Sequence, residues 1–238
     1  MRISNFLLNI YRKTIKQLRP AHVATHWLMT RMIIPVLEKR KRFSTIADDP
    51  FWFRFELLTD RHETETMFQL DRLIQPGMTV LDIGAHVGYY THRYAPKVGG
   101  NGRIISFEPH PRTFKVLQHN TAQFSNVILN QLALADSAGT AELHDYLMMS
   151  ASGSLHYDQG MLNLQQSQLS DSDVAPRIGE DFHASTFTVQ TRPVDDCLAE
   201  LGIDQVDVVK MDIEGAEIGA LRGMRRTIAN SPNLSLVM

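Results

Sequence analysis

The residues whose types and spacing could do chemistry begin at the end of a short apolar run, 79–83. There the chain reads D-I-G-A-H-V-G over 82–88, followed by Tyr89 and Tyr90. Gly84 permits a sharp turn and a close approach of backbone to a ligand, and Gly88 lets the next helix pack closely. The spacing D-x-G-x-x-x-G departs from the dinucleotide fingerprint G-x-G-x-x-G, which aims a helix N-terminus at a pyrophosphate. An acid at position 82, with no phosphate cradle, suits a cationic ligand that carries no phosphate. Ala85, His86 and Tyr89 complete the surface this loop is expected to present.

A second run ends at Ser106, Phe107, Glu108 and Pro109. An acid at a strand end about 20 residues past a glycine loop can accept both hydroxyls of a ribose. Glu108 stands 24 residues beyond Gly84, and Pro109 stops the strand so that the carboxylate turns into the crevice. A third run leads to Asp136, which is placed either to meet an adenine amino group or to serve as a turn residue before Ser137 and Gly139. A positive loop ligand, a ribose and an adenine together describe S-adenosylmethionine.

A fourth run ends V-K-M-D-I-E-G-A-E (209–217). Asp212 and Glu214 alternate around Ile213, so both acids can reach one rim. Such acids could orient or deprotonate a substrate hydroxyl, or hold a divalent cation. Glu217 is placed to cap the following helix, where negative charge is favoured. His156 is a further candidate base, an imidazole in a segment otherwise without pattern. No metal is expected: Cys197 is the single cysteine, and the ten histidines show no HExxH or similar spacing.

These groups need a scaffold. Strands are expected at 79–83, 103–108, 127–134, 206–212 and 234–237, with helices at 62–74, 87–98, 111–124, 195–202 and 215–229 between or before them. Further strands are expected at 140–143 and 187–192. Strand–helix alternation implies an α/β fold, a Rossmann-like, mostly parallel sheet with right-handed crossovers and helices on both faces. Ligands of such sheets sit outside the carboxyl ends of the strands, where all four motifs fall. Residues 145–188, rich in Ser, Gln, Asp and Met, form an expected insertion or substrate lid. The chain is expected to divide into a basic helical extension, 1–60, and a ligand-binding domain, 61–238, cut short at its fifth strand.

Charge is unevenly spread. Residues 1–42 carry ten Lys and Arg against Glu38 alone, net +9, and residues 43–238 carry 14 basic and 25 acidic groups, net −11. Apolar residues recur at three- and four-residue steps from Ile3 to Leu18, and a second helical stretch spans 22–40. This segment is expected either to lie on an anionic membrane surface or to dock on the domain. No apolar run reaches the ~20 residues needed to span a bilayer, and no secretory leader is expected. A cytoplasmic location is expected, with peripheral membrane contact through 1–42 as one of the two readings of that segment. The composition, 43% apolar and 21% charged, is that of an ordinary globular chain.

Taken in order, VLDIGAHVGYYT, ISFEPHPRTFKVLQHN, LALADSAGTAEL and VKMDIEGAEIGALRGM resemble the FkbM-type methyltransferase family over about residues 60–238. The resemblance implies a class I S-adenosylmethionine-dependent fold and O-methylation of a sugar, glycolipid or polyketide hydroxyl. It assigns Asp82, Gly84 and Gly88 to the cofactor loop and Glu108 to the ribose. Asn120 matches the family's asparagine after the second helix, residues 152–155 its serine-containing insertion, and Val194, Asp195 and Asp196 its later acidic pair. Two departures stand out. His86 occupies a position more often Asn, and the chain stops at Met238 inside the fifth strand, where the family continues. A non-catalytic binding module of the same fold is the alternative, and a nicotinamide oxidoreductase, lacking its fingerprint, stands third. The acceptor is expected to be a small molecule or glycan rather than nucleic acid.

Overall fold

The computed structural model describes residues 27–145, 150, 155, 185–213 and 215–238. His156, Glu214 and the first expected helix lie outside the described residues, as does most of the expected insertion. The chain divides into two compact units: 1–45 with 50–62, and 46–49 with 63–238.

The described part of the first unit is a π-turn, Met29–Ile33, running into helix α1 (Ile34–Lys41), with helix α2 (Phe51–Leu58) beyond a short loop. Pro35 has no N–H to give to the turn before it, and that turn takes the wider π form, Met29–Ile33. Glu38 is the hub of this unit's polar contacts. Its Oε1 accepts from the Thr45 amide (2.8 Å) and hydroxyl (2.6 Å), and Arg54 reaches the same oxygen at 3.4 Å. Lys41 Nζ closes the other end, donating to the Leu57 carbonyl and Asp60.

The second unit begins with helix α3 (Thr64–Leu73) and then builds a five-stranded sheet. Its strands are β1 (Thr79–Ile83), β2 (Arg103–Phe107), β3 (Val127–Asn130), β7 (Val208–Met211) and β8 (Ser235–Val237). They lie in the order β3-β2-β1-β7-β8, every pair parallel. The chain winds outward from β1 to β3, returns, and continues on the other side through β7 and β8. The reversal of strand order therefore falls between β1 and β7. Helices α4 (Tyr89–Val98) and α5 (Pro111–Thr121) connect the first three strands, and α6 (Val194–Glu200), α7 (Glu217–Arg222) and α8 (Arg225–Asn230) flank the last two.

Alternation along the strands divides the side chains between two faces. Leu81, Ile83, Ile105, Phe107, Val209 and Met211 form one apolar layer with Val194, Cys197 and Leu198 of α6 and with Ala220 and Met224. The other face carries a polar row. Ser106, Asp82 and Lys210 are register partners on three adjacent strands, and all three are buried. A purely parallel sheet buried on both faces ordinarily reads as continuous apolar runs, so this row is a departure that requires a use.

Two expected elements are divided in the structure. The run 127–134 forms β3 in the central sheet and then β4 (Ala133–Leu134) in a separate three-stranded sheet. There β4 pairs in parallel with β6 (Ser185–Arg192), and β6 pairs antiparallel with β5 (Gly139–Asp145). The helix expected over 215–229 breaks at Gly223 into α7 and α8. A β-carbon at Gly223 would sit 2.1 Å from the Ala135 carbonyl oxygen, so the chain bends where it meets β4's end. Asp195 then caps α8 from α6, accepting from the amides of Arg226 (2.9 Å) and Thr227 (2.8 Å) and from the Thr227 hydroxyl.

Candidate functional site

The loop after β1 is held in a left-handed sequence of turns, with φ of 76° at Gly84, 51° at His86 and 85° at Gly88. The amides of Gly84 and Ala85 both donate to the Phe107 carbonyl at 3.0 Å, and Gly88 closes the turn onto Ala85 at 2.8 Å. Gly84 faces the switch point. A β-carbon there would lie 1.9 Å from the Asp212 carbonyl oxygen. The close approach expected of Gly84 is thus made to the β7 loop's backbone. Gly88 clears Leu117 of α5, whose Cδ1 would sit 2.6 Å from an added β-carbon. Asn120, also on α5, donates to the Val87 carbonyl at 2.8 Å and so fixes the loop from behind.

Asp82 is 2% exposed. Its Oδ2 accepts from Thr91 Oγ1 at 2.6 Å, and Thr91 shares a 2.7 Å contact with Ser106. Its Oδ1 has no hydrogen-bond partner among the described residues. Burial pushes this carboxyl above the usual range, opposed by the Lys210 ammonium and the Thr91 hydrogen bond. Lys210 itself donates to the Gly84 carbonyl (3.2 Å), lies 5.1 Å from the Tyr90 ring centre, and stands 3.9 Å from Asp212 Oδ2. The lysine therefore joins the two loops that meet at the switch point. Sequence reasoning did not single it out, although a cation within V-V-K-M, a run otherwise fit for a buried strand, was the signal.

Glu108 is also buried, and its carboxylate is turned onto the chain's own donors. Oε2 accepts from the His86 amide at 2.8 Å; Oε1 accepts from the His110 amide (2.8 Å) and Thr113 Oγ1 (2.9 Å). Burial raises its pKa while these donors pull the other way. With Pro109 beside it, Glu108 links the end of β2 to the loop after β1, leaving Oε2 the less committed oxygen. His110 caps α5 by accepting from the Arg112 amide at Nδ1, so its Nε2 carries the proton that faces Asp145 at 3.1 Å.

A further cluster meets at the same loop. His86 Nε2 lies 2.6 Å from Ser150 Oγ, and Ser150 donates through its hydroxyl (2.6 Å) and amide (2.8 Å) to the buried carboxylate of Asp49. An imidazole and a carboxylate thus converge on one hydroxyl at the rim of the loop. Asp49 and Ser150 are 101 residues apart, and no local pattern announces the pairing.

The remaining expected residues are dispersed. Tyr89 is buried and donates to Met67 Sδ, away from the loop's open side. Asp136 is exposed, accepting from the Ser137 hydroxyl as a turn residue does. Asp212 stands at the end of β7 with its side chain half exposed, and its amide donates to the Ile83 carbonyl at 3.1 Å. Glu217 caps the loop before α7, accepting from the amides of Ile213 and Gly215. Among the described residues, no three His, Cys, Asp or Glu side chains converge as a metal would require.

Comparison with known proteins places this geometry. Residues 82–237 match the family model described as Methyltransferase FkbM domain. The chain is 25% identical over 165 residues to the 2-O-methyltransferase NoeI of Sinorhizobium fredii, covering 67% of this chain and 62% of that protein. It is 26% identical over 185 residues to the 31-O-demethyl-FK506 methyltransferase FkbM of Streptomyces tacrolimicus, covering 71% and 66%. The chain thus spans less than two thirds of these relatives' lengths. Among solved structures, Aeropyrum pernix fibrillarin with bound S-adenosyl-L-methionine aligns over 65% of this chain and 42% of its own, at 13% identity and a TM-score of 0.35, too remote to carry an argument.

Proposed function

Because residues 82–237 match its model, this chain belongs to the FkbM methyltransferase domain family, and we propose that it moves the methyl group of S-adenosylmethionine to a hydroxyl of a sugar, glycolipid or polyketide-like acceptor. The observation that carries the reading is the pair of buried carboxylates, Asp82 and Glu108, at the glycine loop beside the β1/β7 switch point. Ligands of open α/β sheets bind there. The donor set fits the cofactor's chemistry: acids for an ammonium and a ribose, no cradle for a phosphate, and a buried carboxylate oxygen, Asp82 Oδ1, that accepts nothing from the described residues.

The cofactor supplies a methyl group already activated on a sulfonium, so the protein's work is positioning and removal of one proton. Glu108 Oε2 and the loop amides hold the sugar end. Asp82, kept within reach of the Lys210 ammonium, sets the negative potential of the loop. Asp212 lines the opposite side. Among the described residues two groups are placed to take the acceptor's proton, Asp212 and Asp49. Asp49 is the better placed, since its Oδ2 already accepts from a hydroxyl at 2.6 Å that His86 Nε2 holds from the other side at 2.6 Å. An acceptor alcohol seated in the manner of Ser150 gives its proton to Asp49 Oδ2 as it attacks, while the His86 Nε2–H donates to the same oxygen and holds it in line.

Incubation of the chain with methyl-tritiated S-adenosylmethionine and a panel of hydroxylated glycans and macrolides tests the reading. Alkali-stable label in the acceptor, with His86→Ala and Asp49→Asn slowed at least tenfold, is the expected result. Cofactor binding with no transfer to any acceptor would assign the chain to the alternative, a non-catalytic module of the same fold. The acceptor class rests on the names of the relatives, NoeI and FkbM.

A further inference from the structure

The first unit carries a surface that methyl transfer does not use. Along the π-turn and α1, Leu28, Met32 and Val36 follow one another at four-residue steps and are 44%, 56% and 65% exposed. Trp27 (55%) precedes them, and Trp52 of α2 (50%) is exposed on the same unit. The opposite side of α1 holds Ile34, fully buried. The segment is therefore apolar on two sides, one turned inward and one toward water. A helix that merely covers a core shows one apolar stripe and a polar outer face.

The charges beside the outer stripe have one sign. Arg31, Lys39, Arg40 and Arg42 are exposed, whereas Glu38, the segment's only acid, is turned inward onto Thr45 and Arg54. Lys41 is likewise engaged, with Leu57 and Asp60. Among the described residues no helix is long and apolar enough to cross a membrane. Large apolar side chains, a tryptophan at one end (Trp27) and a flank of arginine and lysine with no exposed acid among them are the composition of a helix lying in a lipid–water interface.

We propose that the helix 27–42 binds the surface of an anionic phospholipid membrane, with Leu28, Met32 and Val36 entering the headgroup boundary and Arg31, Lys39, Arg40 and Arg42 engaging lipid phosphates. The partner is set by charge: a neutral bilayer or an uncharged protein groove would accept the apolar stripe but leave four exposed cations without counter-charge. Each cation near such a surface strengthens attachment severalfold, and the effect fades within a Debye length. The inference stands independently of the chemistry at the β1/β7 crevice.

Flotation of the full chain with phosphatidylcholine vesicles, with and without about 30% phosphatidylglycerol, tests it. Expected is binding to the anionic vesicles at least tenfold tighter than to the neutral ones, and weakened by 0.5 M salt. The triple variant Leu28→Ser, Met32→Ser, Val36→Ser should lose at least tenfold of that binding with an unchanged melting temperature, since all three side chains are exposed. Reversal of Arg31, Lys39 and Arg40 to Glu should remove the preference for anionic lipid. Undiminished flotation of either variant would overturn the proposal by placing attachment elsewhere in the chain. Failure of the parent chain to float, with the triple variant converting a dimer to a monomer in light scattering, would overturn it in favour of a second copy as the stripe's occupant.

Discussion

Substituting Gly84 by Ala tests whether the two loops of the crevice are as closely joined as the structure has them. The new β-carbon meets the Asp212 carbonyl oxygen at 1.9 Å and its carbon at 3.0 Å, both rigid backbone atoms, so the loops must part by about 1.5 Å to reach ordinary contact. A non-glycine residue at φ 76° costs about 1–2 kcal/mol by itself. Parting the loops also strains the bond from the Asp212 amide to Ile83 (3.1 Å) and that from Lys210 to Gly84 (3.2 Å), at about 1 kcal/mol each. With overpacking added, the loss is about 4–7 kcal/mol. For a chain of this size that lowers the melting temperature by about 10–25 °C. Gly88→Ala is the internal control. Its φ is as unfavourable, but its β-carbon meets only Leu117 Cδ1, a side-chain end that can rotate, so about 1–2 kcal/mol is expected. Differential scanning calorimetry and cofactor titration of both variants give the comparison. A Gly84→Ala protein that melts within a few degrees of the parent, or no lower than Gly88→Ala, would refute the close packing of the β1 and β7 loops.

Three further outcomes follow from the same contacts. Lys210→Met removes the cation that opposes Asp82's burial, so denaturant unfolding should show a loss of about 3–5 kcal/mol, partly recovered when Asp82→Asn is added; a double variant no better than Lys210→Met would deny the coupling. Asp195→Ala strips three donors at the start of α8 and should cost about 2 kcal/mol while leaving cofactor affinity unchanged, measured by melting and calorimetry. The pH dependence of binding and of stability should separate. Asp82 and Glu108 have folded pKa values raised by burial, so their contribution to stability is present in acid and is lost as pH rises through those values. Both carboxyls thus take up protons above the ordinary carboxylate range near ~4, so cofactor affinity should already have fallen on reaching that range, with no loss of stability on their account. Constant affinity down to pH 4.5 would contradict the role given to them. For Asp195 the sign is opposite. Burial raises its pKa, but the donors of Thr227 and Arg226 outweigh it and hold the carboxyl low, so its contribution disappears as pH falls.

Much of the central sheet can be read from the chain because each interior parallel strand is a short, continuous apolar run closed by Gly, Pro or an acid. The division of 127–134 between two sheets cannot be read that way. Val127–Asn130 and Ala133–Leu134 lie in one largely apolar run, and pairing with β6, some 50 residues on, separates them. At the site, the sequence indicates where glycine is needed but not why. Gly84 yields to the Asp212 backbone across the sheet, a contact 128 positions away. The side-chain environments are least legible of all. Glu108 reads as an open strand-end acid, yet three donors from its own chain surround it. Asp195 reads as part of an acidic pair, and its use is to cap a helix that begins 30 residues later. Asp49 and Ser150 give no sequence signal, because tertiary folding alone brings them to His86.

Binding of S-adenosylmethionine by the loop 82–88 and Glu108 is tested most directly by calorimetric titration of the folded 238-residue chain with this cofactor. Expected are one site per chain with a Kd of about 1–100 μM, binding at least tenfold weaker in folded Glu108→Ala, and no heat with NADH. Absence of binding at several temperatures by a chain that melts cooperatively, or an NADH complex tighter than that with S-adenosylmethionine, would contradict the assignment.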